Sequence, residues 1–207
     1  MTELFKGKYR IDSTRWKNWD YGSAAAYFIT ICTKDRMPFF GEIQGGNMQL
    51  NEVGRIVEAE WIRKPLVRPE MNLELGSYVV MPNHFHAIIL IGVNEYNIGF
   101  PQSGKDAMQR VSTEGKELEG KDAMQRVSTP YGNKPNQFGP QSKNLVSIVR
   151  GFKSSVTMQA RHFLPDFAWQ SLFHDTVIRN ERAFQTISEY IIHNPQNWKE
   201  YQFSGIE

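Results

Sequence analysis

The strand that decides the fold lies at residues 84–91, which read HFHAIILI. Successive side chains of an extended chain point to opposite faces, so His84 and His86 share one face. The apolar run 88–91 predicts that this strand is buried in the core. The tripeptide Met-Pro-Asn at 81–83 interrupts the strand pattern just before the pair, because proline cannot donate to a ladder of hydrogen bonds. The two imidazoles are therefore expected at the start of a core strand, where their geometry is well defined.

Around this strand the chain alternates between extended and helical patterns. Runs of β-branched and aromatic residues predict strands, and apolar residues at helical spacing predict amphipathic helices. The pair Gly45-Gly46 predicts a two-residue hairpin turn. Asn51 predicts the start of a helix, and Pro65 predicts its end. The other predicted elements are strands at 27–33, 39–43, 47–50 and 73–80, a short extended piece at 169–177, and helices at 145–156 and from about 180 to 194.

The order of these elements indicates the fold class. Strands and helices alternate without repeated βαβ spacing, so we expect an α+β fold with a single antiparallel sheet and helices packed mainly on one face. The decapeptide GKDAMQRVST occurs at 104–113 and again, unchanged, at 120–129. Its surroundings are polar and contain few large apolar residues, which cannot offset the entropy of ordering. We therefore predict a single domain over 1–207, interrupted by a flexible insertion at about 95–142 that contributes no site residue.

Composition excludes several classes of protein. No stretch approaches the 18 consecutive apolar residues of a transmembrane helix, and the first residues have no apolar run of signal-peptide length. The single cysteine, Cys32, cannot form an internal disulfide or a cysteine-based zinc cluster, so we expect a cytoplasmic protein. The formal net charge is only +2 in 207 residues, which argues against coating nucleic acid by bulk electrostatics.

Positive charge is nevertheless concentrated near the start of the chain. Residues 1–17 carry five Lys or Arg residues against two Asp or Glu, with aromatic residues between them. This pattern suits a local contact with phosphates and bases, and a solvated terminus is the alternative. A second basic cluster lies on the polar side of the helix predicted at 145–156. The candidate DNA contacts are Lys6, Lys8, Arg10, Arg15, Arg150 and Lys153.

Two features could carry chemistry. Neutral imidazoles one pleat apart, such as His84 and His86, can share a divalent metal ion; the alternative is a polar pair on a half-exposed strand. Tyr190 and Asn194 lie one helical turn apart on one face. In one interpretation the phenol of Tyr190 is a nucleophile and the amide of Asn194 is a ligand that assists it. A tyrosine that only packs and an asparagine that caps the helix explain the spacing equally well.

These stretches, in their order along the chain, resemble the single-tyrosine HUH transposases. The closest branch is the REP-associated tyrosine transposases, where REP means repetitive extragenic palindrome. The resemblance covers nearly the whole chain except the insertion. It rests on AYFITICTKDRMPFFGEI at 26–43, LNEVGRIVEAEW at 50–61, MPNHFHAIILI at 81–91 and WQSLFHDTVIRNERAFQTISEYIIHNPQNW at 169–198. Residues 173–176 depart from the family's usual pattern.

The resemblance implies a role for each candidate residue. His84 and His86 match the two histidines of the HUH motif, Tyr190 matches the nucleophile, and Asn194 matches the residue that completes coordination of Mg²⁺ or Mn²⁺. Members of the family act on single-stranded DNA with palindromic hairpins. Their tyrosine attacks a scissile phosphate, which gives a 5′-phosphotyrosine and a free 3′-OH, and strand transfer then reseals the DNA. The resemblance thus implies a bacterial enzyme that works as a monomer or homodimer and needs no membrane.

Other functions remain open at the level of sequence. A domesticated, non-catalytic hairpin-binding protein could use the same scaffold. An HUH replication initiator or relaxase shares the chemistry, but usually has a third histidine and a longer chain. An RNA-binding RRM-like domain would need aromatic residues exposed on the sheet, which the predicted strands do not show.

Overall fold

The computed structural model of the chain describes residues 19–98 and 142–198. Nearly all of the predicted insertion lies outside the described residues, as do the N-terminal candidates Lys6, Lys8, Arg10 and Arg15. The strands are β1 (Ala25–Cys32), β2 (Gly41–Gln44), β3 (Asn47–Leu50), β4 (Leu73–Met81), β5 (His84–Ile91) and β6 (His174–Ile178). The helices are α1 (Glu52–Ile62), α2 (Lys64–Val67), α3 (Leu145–Ala160) and α4 (Glu181–His193).

Four strands form the central sheet in the order β4-β5-β1-β6, and every neighbouring pair is antiparallel. The strand predicted to decide the fold, β5, is an inner strand, and seven of its eight residues are buried. Met81 pairs with His84, so Pro82 and Asn83 form a two-residue turn between β4 and β5. The hairpin of β2 and β3 forms a separate two-stranded sheet. The predicted α+β class with an antiparallel sheet is confirmed.

The central sheet has a different cover on each face. On one face, α1 and α3 pack against β5, where the Phe85 ring lies 5.1 Å from Trp61 and 5.4 Å from Phe152. The other face carries His84, His86 and Ile88, and we call it the histidine face. There Ile88 belongs to a small apolar cluster with Ile191 of α4. Two of the three long helices thus lie on one face, as predicted, and the third covers the histidines.

Several predicted boundaries differ from the observed ones, and two were wrong for a clear structural reason. The first hairpin strand begins at Gly41 and not at Phe39, because Phe40 is buried in the core and donates its backbone N–H to the carbonyl of Pro82. Gly41 has φ +135, a backbone angle that residues with a side chain rarely adopt. The second concerns Pro65, which lies in the first turn of α2 rather than ending a helix, since proline is tolerated where the N–H has no helical partner.

Gly54 gives a test of the packing between α1 and the β1–β2 connection. A Cβ at this position would lie 2.2 Å from the carbonyl oxygen of Phe40. We expect Gly54→Ala to lower the free energy of unfolding by about 2 kcal/mol, although alanine is the better helix former. The matched control is Gly151→Ala in α3, where the nearest atom is Nη2 at the far end of the Arg68 side chain, 3.3 Å away. This control should raise stability by about 0.5–1 kcal/mol. Urea denaturation measures both values, and equal effects would contradict the packing at Phe40.

The segments that flank residues 99–141 lie side by side. The Lys143 ammonium donates to the Tyr96 hydroxyl at 3.0 Å. Asn97 and Leu145 each bind a carbonyl of the same segment, Tyr21–Gly22. A short linker can therefore bridge the gap, and the single domain with an insertion stays a prediction. None of the helices in the described ranges combines the length and apolar character of a membrane span.

Deleting residues 102–141 and joining the ends with a short linker is expected to change the melting temperature by only a few degrees. The physical reason is that loop-closure entropy depends weakly on loop length, and that the bordering ends are already adjacent. Thermal unfolding of the full and shortened chains tests this expectation. A large drop in melting temperature would show that the deleted residues contribute to the core.

Candidate active site

The structure brings Tyr190 to the histidine face. Its hydroxyl lies 3.3 Å from Nε2 of His86, although 104 residues separate the two along the chain. The histidines are almost fully buried, at 8% exposed for His84 and 6% for His86, whereas Tyr190 is 51% exposed. A buried pair of imidazoles thus lies beneath a phenol that solvent and a large substrate can reach.

The two imidazoles are held by different neighbours. Their ring centroids are 4.5 Å apart. Nδ1 of His84 lies 2.7 Å from Oδ1 of Asn83. Because a carbonyl oxygen only accepts, this Nδ1 carries the proton and Nε2 keeps a free lone pair. Nδ1 of His86 lies 2.8 Å from the Thr30 hydroxyl, so β1, the neighbouring strand, orients the second ring.

Burial keeps both histidines neutral. Desolvation, and secondarily the positive charge of Arg36, lowers the pKa of His84 to about 4. Desolvation, and secondarily the neighbouring His84, lowers the pKa of His86 to about 3. At neutral pH the site therefore presents imidazole lone pairs rather than two positive charges, which is the form that binds a metal ion.

The ring of Tyr190 rests on aromatic neighbours. Phe28 of β1 meets it edge-on at 6.2 Å between centroids and stacks on His86 at 5.4 Å. The hydroxyl of Tyr190 and Nε2 of His86 can exchange roles, because Thr30 can donate to Nδ1 or accept from it. In one arrangement the phenol donates its proton to Nε2, and in the other Nε2 donates to the phenol oxygen.

Helix α4 positions the tyrosine. Its N-terminus is capped by Asn180, whose side chain accepts the backbone N–H of Ala183 at 2.8 Å. Its apolar side packs on the histidine face through Ile191, which is fully buried. The helix ends at His193, one residue before the predicted end at Asn194, which is its C-terminal cap and precedes the proline.

Asn194 lies one helical turn beyond Tyr190. It keeps helical backbone angles, with φ −57 and ψ −43, and its side chain is half-buried. No hydrogen bond joins its amide to either histidine within the described ranges. The structure therefore brings Tyr190 to His86 and His86 to His84, and leaves the coordinating role of Asn194 as a prediction.

The donor set suits a divalent ion that also takes oxygen ligands. Across the described residues, no group of three or more His, Cys, Asp or Glu side chains could hold a metal. An ion at Nε2 of His84 and His86 would therefore complete its coordination with amide, water or phosphate oxygens. Oxygen-rich coordination suits Mg²⁺ and Mn²⁺, and the two imidazoles favour Mn²⁺.

Several neighbours of the site were not predicted from the sequence. Asn83 and Thr30 bind the two imidazoles, and Phe28 contacts both His86 and Tyr190. Beyond α4, the ring of Trp198 lies 5.8 Å from that of His84. Strand alternation could have placed Phe28 and Thr30 on a common face. Their pairing with β5 depends on register, which no local pattern contains.

The basic residues predicted on α3 lie away from the tyrosine. This helix covers the face opposite the histidine face, and Arg150 is exposed on it. The ammonium of Lys153 is bound to the backbone carbonyls of Gln170 and Ser171. The structure therefore does not bring these two side chains to Tyr190, and their contact with DNA stays a prediction.

His174 and Asp175 are adjacent along β6 and therefore lie on opposite faces of the sheet. His174 pairs with Thr30 of β1, which places His174 on the histidine face at the exposed edge of the sheet. Asp175 pairs with Ile29 and shares the opposite face with it. The two side chains do not form a joint site.

Comparison with known proteins gives one relative by sequence. An uncharacterized protein of Haemophilus influenzae is 33% identical to the chain over 205 residues, which cover 97% of each chain. No model of a known protein family matches the chain.

Two solved structures are similar in fold. A REP-associated tyrosine transposase bound to a REP hairpin superposes with a TM-score of 0.51 at 16% identity, over 89% of this chain and 74% of that one. At this identity the likeness concerns the fold alone. A candidate transposase of Deinococcus radiodurans, at 13% identity, covers 88% of this chain and 98% of that one. Its TM-score of 0.37 is too low to support an argument.

Proposed function

We propose that this chain, which belongs to the same family as the Haemophilus influenzae protein and has the fold of a REP-associated tyrosine transposase, cleaves and rejoins single-stranded DNA. The observation that carries the proposal is the exposed hydroxyl of Tyr190 at 3.3 Å from Nε2 of the buried His86. This contact directs the hydroxyl at one of two neutral, closely spaced imidazoles, where a nucleophile assisted by a metal ion would lie.

In the proposed reaction the Tyr190 oxygen attacks the scissile phosphorus. A bond forms between this oxygen and phosphorus, and the bond from phosphorus to the 3′-oxygen breaks, which leaves a 5′-phosphotyrosine and a 3′-OH. The 3′-OH of another strand can reverse the step and join new ends. Because the phosphotyrosine link conserves the phosphodiester bond, the reaction needs no nucleotide cofactor.

His84, His86 and Asn194 are the residues that would hold Mg²⁺ or Mn²⁺, and the bound ion would polarise the phosphate. Nε2 of His86 cannot hold an ion and accept the phenol proton at the same time. An ion bound there would therefore take the place of the hydrogen bond with Tyr190. The unperturbed pKa of a phenol is about 10, so the attack also needs a route for the proton.

The proposed partner is single-stranded DNA with palindromic hairpins. The solved transposase of the same fold is bound to a REP hairpin. In this chain Tyr190 stands exposed above the buried pair, so an extended strand can reach it from solvent. Nothing in this arrangement requires the strand to enter a closed cavity, which suits a polymer substrate.

The experiment uses labelled single-stranded oligonucleotides that contain the palindromes flanking the gene, incubated with the purified chain and Mn²⁺ or Mg²⁺. The expected result is metal-dependent cleavage of one strand together with a covalent protein–DNA adduct. Hairpin binding without an adduct would instead indicate the non-catalytic hairpin-binding protein. Cleavage that leaves no protein attached would exclude the tyrosine as nucleophile.

A further inference from the structure

The chain continues past α4 as a turn that leads back to the histidine pair. The backbone N–H of Asn197 donates to the carbonyl of His193 at 3.2 Å, and its side-chain amide donates to the same carbonyl at 3.1 Å. The backbone N–H of Trp198 donates to the carbonyl of Pro195 at 3.3 Å. These bonds define the path of residues 194–198, which we call the post-helix turn.

The β2–β3 hairpin lies against the post-helix turn. A Cβ at Gly46, in the hairpin turn, would lie 3.7 Å from Cα of Gln196, which is ordinary van der Waals contact. At the end of the post-helix turn, the ring of Trp198 lies 5.8 Å from that of His84, with an angle of 37° between the two planes. The position of this indole beside the site is therefore set by its own backbone bonds and by a neighbouring element.

Trp198 ends a series of ring contacts that runs through the site. The ring of His84 lies 4.5 Å from that of His86, which in turn lies 5.4 Å from that of Tyr190. Trp198 and Tyr190 therefore contact different members of the histidine pair. The side chain of Trp198 is only half-buried, and among the described residues His84 is the one ring that its indole contacts. Part of a large aromatic surface is thus open to solvent next to the two imidazoles.

We propose that the indole of Trp198 stacks on a nucleobase next to the scissile phosphate and so positions the single strand for attack by Tyr190. This inference rests on the proposed function and names a contact for the substrate at the same site. The unpaired bases of a single strand expose their faces, and aromatic side chains bind those faces with little regard to sequence. A phosphate held at the histidine pair has a nucleotide on either side of it. The base of one of these nucleotides would meet Trp198 on the His84 side of the pair.

Equilibrium binding tests this contact in the Tyr190→Phe background, where the bound strand stays uncleaved in the presence of Mn²⁺. Trp198→Leu keeps an apolar side chain beside His84 but removes the aromatic face. It should weaken binding roughly 10-fold, which is the order expected for the loss of one base stack. Trp198→Phe keeps an aromatic face and should recover most of the affinity. Fluorescence anisotropy of a labelled oligonucleotide measures these values.

The matched control is Phe163→Leu, which makes the same change from an aromatic residue to leucine. Phe163 is exposed and lies just after α3, the helix that covers the face opposite the histidines. This control should bind the strand as tightly as the Tyr190→Phe parent. An equal loss of affinity in Phe163→Leu and Trp198→Leu would show a general effect of removing aromatic surface, and would overturn the inference.

Abasic oligonucleotides separate stacking from packing. Once the cleavage position is mapped, the base on the 5′ side or on the 3′ side of the scissile link is removed, one at a time. At one of the two positions the missing base should itself weaken binding, and Trp198→Leu should then cause little further loss. A penalty of Trp198→Leu that stays undiminished on both abasic strands would overturn the inference.

Two measurements without DNA exclude an indirect effect. The melting temperature and the Mn²⁺ affinity of Trp198→Leu should match those of the parent, because the indole is half-exposed and is not one of the proposed metal ligands. Parallel losses of Mn²⁺ binding and strand binding would assign the indole to support of His84, and would overturn the inference.

Failure of this inference is distinct from failure of the proposed function. If the unchanged chain forms no adduct, the proposed function fails and this inference fails with it. If the unchanged chain forms an adduct and Trp198→Leu binds the strand as tightly as the parent, only the inference is overturned.

Discussion

Replacing Tyr190 with phenylalanine is expected to abolish the covalent protein–DNA adduct completely. The change removes one oxygen, and with it the atom that would attack phosphorus and the hydrogen bond to His86. The ring remains, so its edge-on contact with Phe28 and its packing beside His86 should survive. Water cannot replace the lost group at a comparable rate, because it lacks the proximity that a positioned side chain supplies.

The measurement is a denaturing gel on which the adduct migrates as a species sensitive to protease. Hairpin binding, Mn²⁺ binding and melting temperature should match those of the unchanged chain. The control is Tyr78→Phe, which removes a hydroxyl that lies 3.5 Å from Glu58 on the face away from the histidines. This control should form adduct normally. An adduct with Tyr190→Phe would show that Tyr190 only packs and that another tyrosine is the nucleophile.

The second large effect is expected from replacing both His84 and His86 with alanine. Cleavage should fall to background and Mn²⁺ binding should be lost, because the change removes both nitrogen ligands of the proposed site. Hairpin binding should remain largely intact, since phosphate and base contacts are made by other groups. Calorimetry with Mn²⁺ and a gel-shift assay with a labelled hairpin measure the two properties separately.

Stability must be checked in the same variant, since both rings are buried and each holds a polar neighbour. Loss of the two side chains leaves Asn83 and Thr30 without these partners and opens space under α4. His193→Ala is the matched control, because that histidine is exposed on α4 and, in the described structure, its ring bonds only the carbonyl of Glu189. Equal loss of hairpin binding and cleavage in a folded double variant would assign the histidines to DNA binding or to the strand itself.

The local features of this site could be read from the sequence alone. Alternation along 84–91 placed the two histidines together, and the i, i+4 spacing placed Tyr190 and Asn194 on one helical face. The proline at 195 marked the end of that helix correctly. Each of these features follows from the period of a single element, which depends only on neighbouring residues.

Only the tertiary structure decided which elements meet. The order β4-β5-β1-β6 brings Thr30 beside His86, and the packing of α4 on the histidine face brings Tyr190 to the same imidazole. The same packing places α3, with Arg150 and Lys153, on the far face. Register and the choice of face are set by contacts between residues far apart in the chain, so no window of the sequence contains them. The sequence by itself determined the chemical groups and their local spacing; long-range packing determined that a phenol and two imidazoles meet on one face of the sheet.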